Sequence, residues 1–203
     1  MSIDQINNYI DEINSIAVSH GWYEDRLSDS HYYMMIITEI CEAIQADRRN
    51  SLAQMKSFSA FYHLKSDESF IFPDDLYNDN DKFVDAYNLY IEGTVDSEIA
   101  DIFIRVLSFL GMHGFHLQSM KDIQIREDFF SKKTFTEICY NLTRFFALYI
   151  YDFGKEIELI DDLSQSLSFI YKWCEYLKID LDSQIKLKVR YNSLRNKKHG
   201  KKY

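Results

Sequence analysis

An all-α bundle is the fold class this sequence predicts, and three observations predict it. The chain has one proline and six glycines in 203 residues, so few positions interrupt a helix. Its apolar residues recur mostly at spacings of three and four, and no β-hairpin signal competes. With 46% apolar and 16% aromatic residues, the chain can bury the core of a single domain spanning 1–203.

Taken in order, residues 3–19 place Ile3, Ile6, Tyr9, Ile10, Ile13, Ile16 and Ala17 on one helical face. That helix ends near His20-Gly21, where glycine can adopt the left-handed cap. The loop GWYEDRLSDS follows, with Ser28 or Ser30 available to cap the next helix. That helix, His31 to Asp47 and on to about Arg49, is the one the chain is organised around. Met34, Ile36, Ile37, Ile40, Cys41, Ala43 and Ile44 cover most of its circumference, so it reads as buried. An apolar-periodic piece at 52–64 leads to the irregular stretch Lys65–Asp81, which holds the only proline and reads as an excursion between core helices. A helix over 82–92 then ends at Gly93, and Thr94 or Asp96 caps the segment TVDSEIADIFIRVLSFLGMHG. On that segment Ile99, Ile102, Phe103, Val106, Leu107 and Leu110 form the apolar face, while Glu98, Asp101, Arg105 and Ser108 share another. Helices over about 134–151, 155–178 and 186–195 complete the prediction.

Charge is distributed unevenly. Eight Lys or Arg and no acid lie between Lys186 and Tyr203, which leaves 15 basic against 32 acidic residues in 1–185. An acidic body is not expected to bind nucleic acid, whereas the basic tail is a candidate for phosphate contact. The sequence has no run of eighteen apolar residues, and its start, MSIDQINNYIDEIN, reads as an amphipathic helix rather than a signal peptide. The expectation is a soluble, cytoplasmic protein with no membrane partner. Cys41, Cys139 and Cys174 read as small buried hydrophobes with free thiols.

The chemistry resides in two acidic pairs. Glu39 and Glu42 sit one turn apart on the apolar helix, with no Lys or Arg within a turn except Arg48 and Arg49 at its far end. Desolvating two like charges together demands a cation or hydrogen-bond donors. Glu98 and Asp101 form the second pair, on a helix with a polar side. Pairs at this spacing arise by chance in an acidic chain, so the conjunction carries the argument. Four carboxylates from two neighbouring helices make an oxygen-only site suited to Mg²⁺ or Mn²⁺, and therefore to phosphate substrates. A di-iron bundle would require Glu-x-x-His pairs, which this sequence lacks.

The halves of the chain echo each other. Thr38-Glu39-Ile40-Cys41 returns as Thr136-Glu137-Ile138-Cys139, and Glu98, Asp101 and Leu107-Ser108-Phe109 return as Glu158, Asp161 and Leu167-Ser168-Phe169. Ile123, Arg126, Phe129 and Ser131 align with Ile185, Lys188, Tyr191 and Ser193. This predicts two tandem degenerate repeats, about 20–131 and 134–203. Tyr140 replaces Glu42 in the second, so one site per chain is expected.

Glu39-x-x-Glu42 followed by Glu98-x-x-Asp101 within GTVDSEIADIFIRVL resembles the metal-binding signature of the all-α nucleoside triphosphate pyrophosphohydrolases, the MazG-like and dimeric-dUTPase-like superfamily. The GWYEDR stretch and the ending KVRYNSLRNKKHGKKY are also similar to MazG-like members. The interval from Ala43 to Ser97 is longer than usual for that family. The resemblance implies an all-α hydrolase that cleaves an NTP or dNTP to the monophosphate and pyrophosphate, often as a homodimer. It implies Mg²⁺ at Glu39, Glu42, Glu98 and Asp101, with Glu39 or Glu42 activating water. Trp22 would stack on the base, and Arg49, Lys188, Asn192, Arg195, Lys198 and His199 would meet substrate. The alternative is a non-catalytic helical module that binds nucleotides or another protein.

Overall fold

The computed structural model describes residues 1–25, 27–63, 78–147 and 156–196. Those residues form eight helices and no strand: α1 (Ile3–Ser19), α2 (Asp29–Arg48), α3 (Met55–His63), α4 (Asp79–Tyr90), α5 (Val95–Met112), α6 (Phe135–Ala147), α7 (Glu156–Leu177) and α8 (Leu181–Leu194). The fold is an all-α bundle. No helix among the described residues is long and apolar enough to cross a membrane. Most of the expected excursion at 65–81 lies outside the described residues, and its last residues, 78–81, cap and begin α4.

The helix at the centre is α5, not α2. It packs against α1, α2, α7 and α8, and nearly its whole surface is buried, Glu98 and Asp101 included. On its polar stripe Glu98 and Asp101 are enclosed by the neighbouring helices, whereas Arg105 and Ser108 are half-buried. Conversely, α2 is buried only over an arc holding Tyr33, Ile36, Glu39, Ile40, Ala43 and Ala46, where it meets α5 and α6. Met34 and Cys41 face outward, so the expectation of a buried Cys41 is corrected, whereas Cys139 and Cys174 are buried as expected. All three thiols are free.

Turn chemistry sets how the two central helices meet. After α2, Asn50 takes a left-handed φ of 52° and Ser51 N–H bonds back to Ala46 O at 3.0 Å, closing the helix in a Schellman turn. Ser51 O then accepts from Val95 N at 2.9 Å, and Ala53 N donates to Asp96 at 3.1 Å. The end of α2 is thereby pinned to the start of α5. At the opposite end His113 Nε2 lies 3.1 Å from Asp29. The two helices therefore run antiparallel in a fixed register. Thr94 and Ser97 supply a capping box at the start of α5, after Gly93 at φ 71°.

Two apolar clusters form. The larger joins α1, α2, α5, α6, α7 and α8, and the smaller, with Phe58, Phe83, Tyr87 and Ile91, joins α3 and α4 to Tyr191 of α8. α8 begins at Leu181, five residues before the predicted start, because Asp180 caps it through Ser183 N. The echo between the halves does not extend through its third segment: residues 123–131 are irregular, whereas 185–193 are helical. Glu137 is a first-turn residue of α6, accepting from Thr134 N at 2.7 Å, and Asp161 pairs with Lys121 at 2.8 Å.

α1 crosses α5 closely at Gly111, where a Cβ would stand 2.8 Å from Asn14 Cβ and 3.1 Å from Ile10 O. Gly111→Ala is expected to cost about 1–3 kcal/mol despite alanine's better helix propensity, because a backbone carbonyl cannot step aside. Urea unfolding midpoints check this, and an unchanged or higher midpoint would show that α1 can move away.

Candidate metal centre

Glu39 of α2 and Glu98 and Asp101 of α5 converge, each with a ligand oxygen within 4.8 Å of the others'. They lie on the wall of a cavity of about 340 Å³ that Ile13, Ile16 and Ala17 near the end of α1 and the Trp22 loop also line. Glu42 lines the same cavity but is exposed and stands outside the three-carboxylate cluster. This corrects the expectation that both carboxylates of α2 are buried. At 100° per residue, Glu39 falls inside the arc that α2 buries and Glu42 falls beyond its edge.

Burial dominates the electrostatics. Glu98 is 6% exposed and takes no hydrogen bond among the described residues. Burial, reinforced by the Asp101 charge, pushes its carboxyl up to about 8. Burial also pushes Asp101 up, to about 6, against the pull of Lys188, whose Nζ is 2.7 Å from Oδ2. Lys188 is itself 5% exposed. Desolvation works to lower its ammonium, but Asp101 and Glu92, the latter 3.0 Å away, outweigh that and hold it well above the ordinary lysine range. The rings of Tyr87 and Tyr191, 5.7 and 5.6 Å from Nζ, complete its enclosure. On the other side Arg105 Nε donates to Glu39 Oε1 at 2.9 Å.

Two cations therefore attend the acids, one four residues beyond Asp101 on α5 and one brought in by α8. Lys188, read from the sequence as a substrate contact, lies on the cavity wall and pairs with Asp101 and Glu92. Arg49 is exposed, 3.5 Å from Gly93 O, and is not on the cavity wall. Asn192 and Arg195 do line it. Asn192 Oδ1 is buried without a hydrogen-bond partner, and the Arg195 guanidinium lies 5.4 Å over Tyr191. Lys198 and His199 lie outside the described residues. Trp22 is on the wall, carried there by a Schellman turn at the end of α1: Gly21 has φ 75°, and Trp22 N donates to Ala17 O at 3.0 Å. Tyr23 stands beside it, its hydroxyl 2.6 Å from Ser108 Oγ.

The sequence reading missed Arg105 as a site residue, although it had placed Arg105 on the face of Glu98 and Asp101. It also missed Glu92, for which no sequence signal exists. No family model, no curated protein and no solved structure matches this chain.

Proposed function

We propose that this chain is a Mg²⁺-dependent nucleoside triphosphate pyrophosphohydrolase. The observation that carries the reading is the cluster of Glu39, Glu98 and Asp101 on the wall of a cavity that Trp22, Tyr23 and Tyr32 also line. The donor set fits a hard divalent cation. Arg105 occupies one oxygen of Glu39 and Lys188 one of Asp101, which leaves an oxygen on each, and Glu98 has both. A buried carboxylate with no hydrogen bond, next to two more acids, calls for positive charge.

Glu39, Glu98 and Asp101 would hold Mg²⁺, which supplies charge to the phosphate oxygens and acidifies a bound water. Trp22 presents a flat face to the base. Lys188 and Arg105 each hold one carboxylate in place, and so act as positioning residues. Glu42, one turn beyond Glu39 on the open side of the wall, orients the attacking water and accepts its proton. The water oxygen bonds to phosphorus, the anhydride P–O bond breaks, and pyrophosphate and the monophosphate part.

One observation favours the non-catalytic alternative: the two resident cations already neutralise part of the cluster, as a binding module with no metal would require. Pyrophosphate release from each of the eight common NTPs and dNTPs, with Mg²⁺ or EDTA, separates the readings. The enzyme reading expects EDTA-sensitive release that Glu42→Gln lowers about 10²- to 10⁴-fold while Mg²⁺ affinity changes little. Release from none of the eight, by a folded protein, favours the binding module.

A further inference from the structure

Arg105 lies on the cavity wall between Glu39 and Trp22. Its Nε donates to Glu39 Oε1 at 2.9 Å, and its guanidinium carbon stands 5.9 Å over the ring of Trp22. The side chain is 31% exposed, so its outer end remains accessible. A guanidinium offers five N–H donors in a planar fork, and the bond to Glu39 uses only the one on Nε. Among the described residues the terminal Nη1 and Nη2 groups make no hydrogen bond. A counter-ion for Glu39 alone would need neither a fork nor access to the cavity. Arg195, also on the wall, is stacked on Tyr191 instead.

Resting on the nucleotide reading, we propose that Arg105 grips the ligand phosphate nearest the sugar, through the two terminal amino groups that its pair with Glu39 leaves spare. A nucleotide with its base on Trp22 and its outer phosphates at Glu39, Glu98 and Asp101 brings its first phosphate to Arg105, because Arg105 adjoins both Trp22 and Glu39. The bond to Glu39 orients the fork before the ligand arrives, which lowers the ordering cost of a bidentate contact. This position also gives the site a requirement that the acids alone lack: a phosphate attached to a nucleoside, rather than any polyphosphate.

Calorimetric titration with the four common nucleoside monophosphates and with inorganic pyrophosphate, at fixed Mg²⁺, tests this. Arg105→Lys keeps a cation for Glu39 but loses the fork. It is expected to weaken monophosphate binding about 10- to 100-fold while changing pyrophosphate binding less than about threefold. A selective loss below tenfold, or equal loss for both ligands, overturns the proposal. Native protein that hydrolyses triphosphates yet binds no monophosphate overturns it and leaves the enzyme reading standing. Native protein that neither binds nor hydrolyses any nucleotide overturns both. If Arg105→Lys fails to fold, Glu39→Gln with Arg105→Gln, compared against Glu39→Gln alone in EDTA, gives the same decision on monophosphate affinity.

Discussion

Glu98→Gln is expected to abolish Mg²⁺-dependent turnover and, in EDTA, to remove a loss of stability that the native protein suffers as pH rises from about 5 to 8. The folded protein holds the Glu98 proton more tightly than the unfolded chain, because burial pushes the folded carboxyl up to about 8 from the ordinary glutamate value of 4.5. The stability linked to that proton is fully present below about 4.5 and is lost as pH climbs through 8. The full displacement corresponds to at most about 4–5 kcal/mol. Glutamine does not ionise, so its melting temperature in EDTA should vary less with pH than the native one over this window. Saturating Mg²⁺ should flatten the native profile too, by stabilising the ionised form, and leave the variant nearly unchanged. Parallel native and variant profiles in EDTA would show that Glu98 is not the group that titrates.

Lys188→Met is expected to be the most damaging single change near the site. It retains a stem of similar shape between Tyr87 and Tyr191 but strips the ammonium from Asp101, which is 9% exposed. Glu92, 37% exposed at its side chain, can turn to water, whereas Asp101 cannot. Removing one partner of a buried pair costs about 3–5 kcal/mol, because an uncompensated charge remains. For a chain of this size that is a fall of about 10 °C in melting temperature. Adding Asp101→Asn to Lys188→Met should recover much of the fall, since the orphaned charge is gone. Mg²⁺ should stabilise Lys188→Met more than the native protein, a divalent cation standing in for the ammonium. A single variant that melts within about 2 °C of native in EDTA would show the pair to be dispensable.

Both expectations concern residues whose surroundings the sequence describes only in part. The spacing of Glu98 and Asp101 on the helix of Arg105 and Ser108 was legible, because one turn of helix fixes which side chains share a face. Their burial was not. A stripe of acid, arginine and serine reads as a solvated side, and only the packing of α1, α2 and α8 around α5 encloses its two acids. Glu42 misled in the opposite direction: an apolar helix suggests burial of everything on it, but α2 touches its neighbours over one arc alone. Lys188 lies 87 positions from Asp101 in the chain, and nothing local in KLKVRY announces which acid it will meet. Its pairing depends on where α8 docks, which the stacking of Tyr191 on Tyr87, with ring centroids 4.3 Å apart, helps to set.

The sequence by itself determined the helices, the left-handed turn at Gly21 and the two acidic pairs, and it narrowed the cap of α5 to Thr94 or Asp96. Each of these is decided within a few residues by backbone sterics, capping hydrogen bonds and the helical period. Only the tertiary structure decided which helix is central, which three of the four acids come together, and which two cations attend them. Those outcomes depend on contacts between distant segments, and the energy that selects them, burial of charge against its compensation, exists only once the helices have packed.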